Sequence, residues 1–132
     1  MTSIIEWDNY PNFTADELAC KHCKAEGIQP ELMDILQGIR KKMDSPVFLS
    51  SGYRCPRHPV ELDKDKPGEH TYGMAVDILC HGARAIKIIN HAFSFEIKRL
   101  GIHQKGNPNG RFVHIGIADR YKLDFPAAIW TY

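Results

Sequence analysis

One carboxylate stands where an apolar strand would bury it. Asp77 lies inside Ala75-Val76-Asp77-Ile78-Leu79, and a buried carboxylate is costly without a partner. His70 stands seven residues earlier, with Gly73 between, so a turn can bring both side chains to one point. His114 is equally out of place, between Val113 and Ile115 in a second apolar run. A lone Asp in a strand is more often salt-bridged or at a strand end. Two imidazoles beside it shift the reading toward a metal. That ligand set leaves the fourth position of a zinc ion open for water, which then becomes a strong nucleophile near neutral pH.

A second cluster has metal-like spacing. Cys20-x-x-Cys23 and Cys55-x-x-His58 resemble two halves of a structural zinc site. Closed together, they would pin the N-terminal lead-in to the loop of Arg54. Free thiols, or a disulfide formed in an oxidising space, are the plainer readings. Cys80 has no partner in the pattern and reads as a small core residue. His22, His81 and His91 read as surface or satisfied polar residues.

The elements that must position these groups follow from periodicity and punctuation. Thr14-Ala15-Asp16-Glu17 is a capping box opening a short helix. Pro30 opens a second, with Leu32, Ile35, Leu36, Ile39 and Met43 on one face and Gly38 marking close packing. Val47-Phe48-Leu49 reads as a strand, 56–68 as a surface loop and Met74 to Leu79 as a second strand. Ala83 to Phe95 reads as a helix whose inner face carries Ile86, Ile89, Ala92 and Phe93. The runs 100–104 and 111–117 flank Gly106-Asn107-Pro108-Asn109-Gly110, a hairpin pattern. The tail Ile129-Trp130-Thr131-Tyr132 is expected to pack back onto the body. Together these give an α+β fold, a small antiparallel sheet carrying the metal site and flanked by helices, in one domain over residues 1–132.

Glu69-His70-Thr71-Tyr72-Gly73-Met74-Ala75-Val76-Asp77 resembles the His-x-x-Gly-x-Ala-x-Asp signature of the zinc D-Ala-D-Ala carboxypeptidases and their relatives. These include L,D- and D,D-acting peptidoglycan peptidases, phage endolysins and the hedgehog signalling domain. Ser51-Gly52-Tyr53-Arg54 is similar to the upstream Ser-x-Tyr-Arg element, and Arg111-Phe112-Val113-His114 to the C-terminal Phe-Val-His strand, with Trp130 beyond it. The blocks keep the family order, and residues 13–49 resemble the helical lead-in of short, phage-type members. The resemblance implies that His70, Asp77 and His114 are zinc ligands. It also implies that Arg54 fixes the substrate's carboxylate, a role suited to a planar, always-charged fork.

The pattern departs from the family at the general base. Relatives place a carboxylate three residues before the last histidine or two after it, where this chain has Arg111 and Gly116. The serine common two residues before the first histidine is Gly68. Glu69, His103 and Asp119 are the candidates to replace the base, and the sequence does not choose among them.

The 132 residues carry a formal net charge of +1 and 43% hydrophobic residues. That balance fits a globular domain and disfavours a nucleic-acid protein, including a zinc ribbon built on Cys20, Cys23, Cys55 and His58. No apolar run is long enough to enter a membrane as a spanning helix. The N-terminus has neither a basic start nor an apolar stretch, so synthesis in the cytoplasm without an export leader is expected. The expected function is zinc-dependent cleavage of peptidoglycan stem peptides by a monomer, in the manner of an endolysin acting on the wall after release. The alternative is a zinc-containing module that grips a peptide or the cell wall without cutting it.

Overall fold

Thr14 starts the first helix, α1 (Ala15–Leu18), with the reciprocal bonds of a capping box. Its hydroxyl accepts the Glu17 N–H at 3.3 Å, and the Glu17 carboxylate accepts the Thr14 N–H at 3.0 Å. The structure is a computed structural model describing residues 4–132. Helix α2 (Pro30–Met43) has Pro30 in its first turn and buries Leu32, Met33, Ile35, Leu36 and Ile39. Arg40, Lys41 and Lys42 fill its last turn, where cations complement the helix dipole. Gly38 marks the close contact expected of it, because a Cβ there would lie 2.4 Å from the Phe95 ring.

The segment 56–68 holds a short helix, α3 (Pro59–Leu62), capped by His58 Nδ1, which accepts the Val60 N–H at 3.1 Å. Helix α4 (Gly82–Ser94) corrects the expected inner face. Ala85, Ile88 and Ala92 are buried and Ile89 is half-buried, whereas Ile86 and Phe93 are 70% and 52% exposed. The small Ala85 and Ala92 centre the contact one residue away from the bulkier pair, a rotation of roughly 100° around the helix.

Five strands form one sheet: β1 (Phe48–Ser51), β2 (Ala75–Leu79), β3 (Arg99–His103), β4 (Phe112–Gly116) and β5 (Ala128–Thr131), in the order β1-β2-β4-β3-β5. The fold is α+β and mostly antiparallel. The tail departs from a wholly antiparallel sheet, because β5 lies parallel to β3. Residues 117–127 carry the chain back to the start of β3, where Ala128 N–H donates to the Lys98 carbonyl at 2.8 Å.

Side chains alternate across the sheet. Val76, Ile78, Leu100, Val113 and Ile115 join α2 and α4 in the core. Their neighbours Asp77, His114 and Gly101 therefore face the other side. Among the described residues no helix is long and apolar enough to cross a membrane.

Candidate metal centre

Asp77 and His114 are directly paired across the antiparallel strands β2 and β4. Gly101 of β3 pairs with His114 on its other side, and Trp130 of β5 pairs with Gly101. His70 comes from the 3-10 turn Glu69–Tyr72, which Gly73 ends at φ +70°. Only glycine suits Gly73, since a Cβ there would also lie 1.8 Å from the Gly27 carbonyl oxygen. The turn leads straight into β2, so His70 and Asp77 converge as the spacing predicts. His70, Asp77 and His114 are all buried, and each offers a ligand atom within 4.8 Å of the others.

The hydrogen bonds orient those atoms. His70 Nδ1 meets the Gly52 carbonyl at 2.8 Å. A carbonyl only accepts, so Nδ1 carries the proton and Nε2 presents a lone pair. That Nε2 is buried without a hydrogen-bond partner, 3.4 Å from Asp77 Oδ1. His114 Nε2 lies 2.5 Å from the Glu69 carboxylate, which leaves Nδ1 facing the same Asp77 Oδ1 at 3.1 Å. Three electron-rich atoms thus point into one gap. A cation satisfies all of them at once, and a proton can satisfy only part. Burial raises the Asp77 carboxyl, but bonds and charge from His114 and His70 outweigh it and hold the group far below the usual carboxylate range. For His114, burial works against the charged form, yet Asp77 and Glu69 raise its affinity for a proton.

Two arginines brace this arrangement. Arg54 donates through Nε to Ser51 Oγ at 3.0 Å, through Nη1 to Glu61 at 3.3 Å and through Nη2 to Asp77 Oδ2 at 3.2 Å. Asp77 is therefore held from behind while Oδ1 faces the histidines. Arg99, which the sequence reading passed over, has its Nε 3.0 Å from Glu69 Oε2. Its guanidinium lies 5.1 Å from the Trp130 ring and 5.2 Å from the Phe125 ring, favourable cation–π distances. Strand alternation from Gly101 puts residue 99 on the site face, which is the pattern that would have found it.

Glu69 turns inward rather than away. Burial pushes its carboxyl up, but His114 and Arg99 bring it below its ordinary value. Its Oε1 also accepts the Ala118 N–H at 3.2 Å. Gly116 leaves the space for this, since a Cβ there would sit 2.1 Å from Glu69 Oε2.

A cleft of about 380 Å3 opens over the centre, lined by Arg54, Lys64, Glu69, Arg99, Phe112 and Trp130 together with the three candidate ligands. Trp130 reaches His114 with ring centroids 4.9 Å apart. It does so across Gly101, where a Cβ would lie 2.6 Å from the indole nitrogen. The other two base candidates lie outside the cleft lining. The register pairs His103 with Phe112, not His114, and the two rings stack at 4.8 Å. Asp119 sits in a 3-10 turn beyond β4. Arg111 binds the Gly106 carbonyl at the hairpin tip.

A family model described as Peptidase M15 matches residues 11–116, most of the chain. The chain belongs to the peptidase M15 family. M15 enzymes are metal-dependent peptidases, and the matched span contains Arg54, His70, Asp77 and His114. The M15 match ends at Gly116, so Trp130 and strand β5 lie beyond it. No curated protein matches the chain.

Proposed function

We propose that this M15 protein is a zinc-dependent peptidase acting on peptidoglycan stem peptides, with His70 Nε2, Asp77 Oδ1 and His114 Nδ1 holding the metal. The observation that carries this reading is the buried, unpartnered His70 Nε2 aimed with two other donors into one gap. Zinc in that gap supplies Lewis acidity and lowers the pKa of water.

The chain's own residues would then bind and orient the peptide. Three of the five N–H groups of Arg54 are committed, which leaves two for a substrate carboxylate or carbonyl. Lys64 adds positive charge at the cleft wall, while Phe112, Trp130 and Tyr132 shield the centre from bulk water. Glu69 is the one carboxylate besides Asp77 in that lining, which makes it the candidate general base. The resemblance to short phage-type members supports an endolysin-like monomer that reaches the wall after release.

The test is direct. Zinc-loaded protein is incubated with peptidoglycan fragments, and each cut releases one new amine and one new carboxylate. Glu69→Gln should lower turnover by about a hundredfold or more if Glu69 is the general base. Unchanged turnover in that variant removes Glu69 from the role.

A second reading is a peptide-gripping module without hydrolysis. It is favoured by the commitment of Glu69 to Arg99, His114 and the Ala118 N–H. Absence of turnover in wild-type protein that still retains zinc and binds stem peptide would establish it.

A further inference from the structure

Cys55 is distant in sequence from the Cys20-x-x-Cys23 pair, yet the three sulfurs lie within 4.8 Å of one another. Their backbones make the meeting a built one. Lys24 N–H donates to the Cys20 carbonyl and Cys20 N–H to the Ala25 carbonyl, both at 2.8 Å, closing a tight loop around the Cys-x-x-Cys pair. Lys24 takes the left-handed conformation that the loop requires, at φ +65°. From the other side, Tyr53 N–H donates to the Leu18 carbonyl at 2.9 Å and Cys55 N–H donates to Cys20 Sγ at 3.3 Å. A disulfide would join two of these sulfurs and strand the third.

We propose that Cys20, Cys23 and Cys55, with His22 as the fourth ligand, bind a structural zinc ion separate from the cleft. Three thiolates and an imidazole are a tetrahedral ligand set that leaves no open position. His22 is assigned over His58 on contact. Its Nδ1 lies 3.5 Å from Cys55 Sγ, whereas His58 Nδ1 is occupied as the cap of α3. Cys80 is the contrast: it is buried and belongs to no such cluster among the described residues.

This ion would act on the cleft through the backbone. It ties Cys20 to Cys55, the residue after Arg54, beside the Gly52 carbonyl that orients His70.

Zinc content of the purified full chain tests the proposal. Wild type should hold two zinc ions, and Cys23→Ser, at an exposed position, should hold one. His114→Ala should also hold one, and the double variant none. A wild type with one zinc that Cys23→Ser does not remove overturns the proposal. One zinc lost in Cys23→Ser but kept in His114→Ala supports it while sinking the cleft metal. Cobalt-loaded wild type, which needs no variant to fold, should show sulfur-to-cobalt charge-transfer absorption, and its absence also overturns the site. His22→Ala should lose this metal and His58→Ala keep it. The reverse result overturns the assignment of His22.

Discussion

The Glu69 carboxylate occupies the space that any side chain on Gly116 would enter, with Oε2 2.1 Å from the position of a Cβ there. The family resemblance implies a carboxylate either three residues before the last histidine or at that second position after it. This chain brings one to the same place from the residue before the first histidine. The departure at Gly116 and the inward turn of Glu69 are thus one feature, seen from a strand and from the turn that precedes β2.

Gly116→Asp alone should destabilise the fold by about 1–3 kcal/mol, the usual range for overpacking, and should weaken metal retention. Combined with Glu69→Ala, the same substitution should recover most of that loss. Thermal melts and zinc content of the three variants check the coupling, and simple additivity would argue against shared space.

Arg54→Lys should weaken both substrate binding and the Asp77 brace. A lysine offers a point charge in place of a fork, so it cannot reach Ser51, Glu61 and Asp77 together. The expected result is a rise in KM of about tenfold, corresponding to ~1.4 kcal/mol, with a lowered melting temperature.

Acid should loosen the segment behind Arg54. Burial raises the Glu61 carboxyl, but the Gly68 N–H, Lys64 and Arg54 pull it from 4.5 down to about 2. A depressed carboxylate stabilises the fold above its unfolded pKa and loses that contribution as pH falls. Stability should therefore decline from pH 4.5 toward 2. Chemical denaturation across that range should show a shallower decline in Glu61→Gln.

Gly101→Ala should expel Trp130 from beside His114, because the added methyl carbon would lie 2.6 Å from the indole nitrogen. Tryptophan fluorescence should shift toward the exposed value. A spectrum unchanged from wild type would mean that the indole accommodates the methyl group in place.

Chelation should lower the melting temperature when measured in the Cys23→Ser background. A ligand present at a thousand times its Kd contributes about 4 kcal/mol to stability. His114→Ala in the same background should show no such response.

Much of the fold and the metal-like trio was legible because strong local rules governed it. Asp77 and His114 each interrupt an apolar strand, and Gly73 marks the turn that delivers His70. The capping box at Thr14 and Pro30 set two helix starts. On α4, Ile89 and Ala92 face inward as expected, but Ile86 and Phe93, core residues by type, yield the contact to Ala85 and Ile88. The inward turn of Glu69 depends on a vacancy at Gly116, forty-seven positions later in the chain. Likewise, the contact of His22 with Cys55 requires the tertiary pairing of segments 18–25 and 52–55. No single-segment pattern contains either relationship.

Asp77 and His114 sit on neighbouring strands, held by the hydrogen-bond ladder on both sides, while His70 rides on a short turn. Two of the candidate ligands are therefore fixed by the sheet, and the third is carried by a turn outside it. A metal held here would exchange through His70, and the Gly52 carbonyl that meets its Nδ1 at 2.8 Å would govern the rate. Loosening that single contact would make the ion labile while leaving the sheet intact.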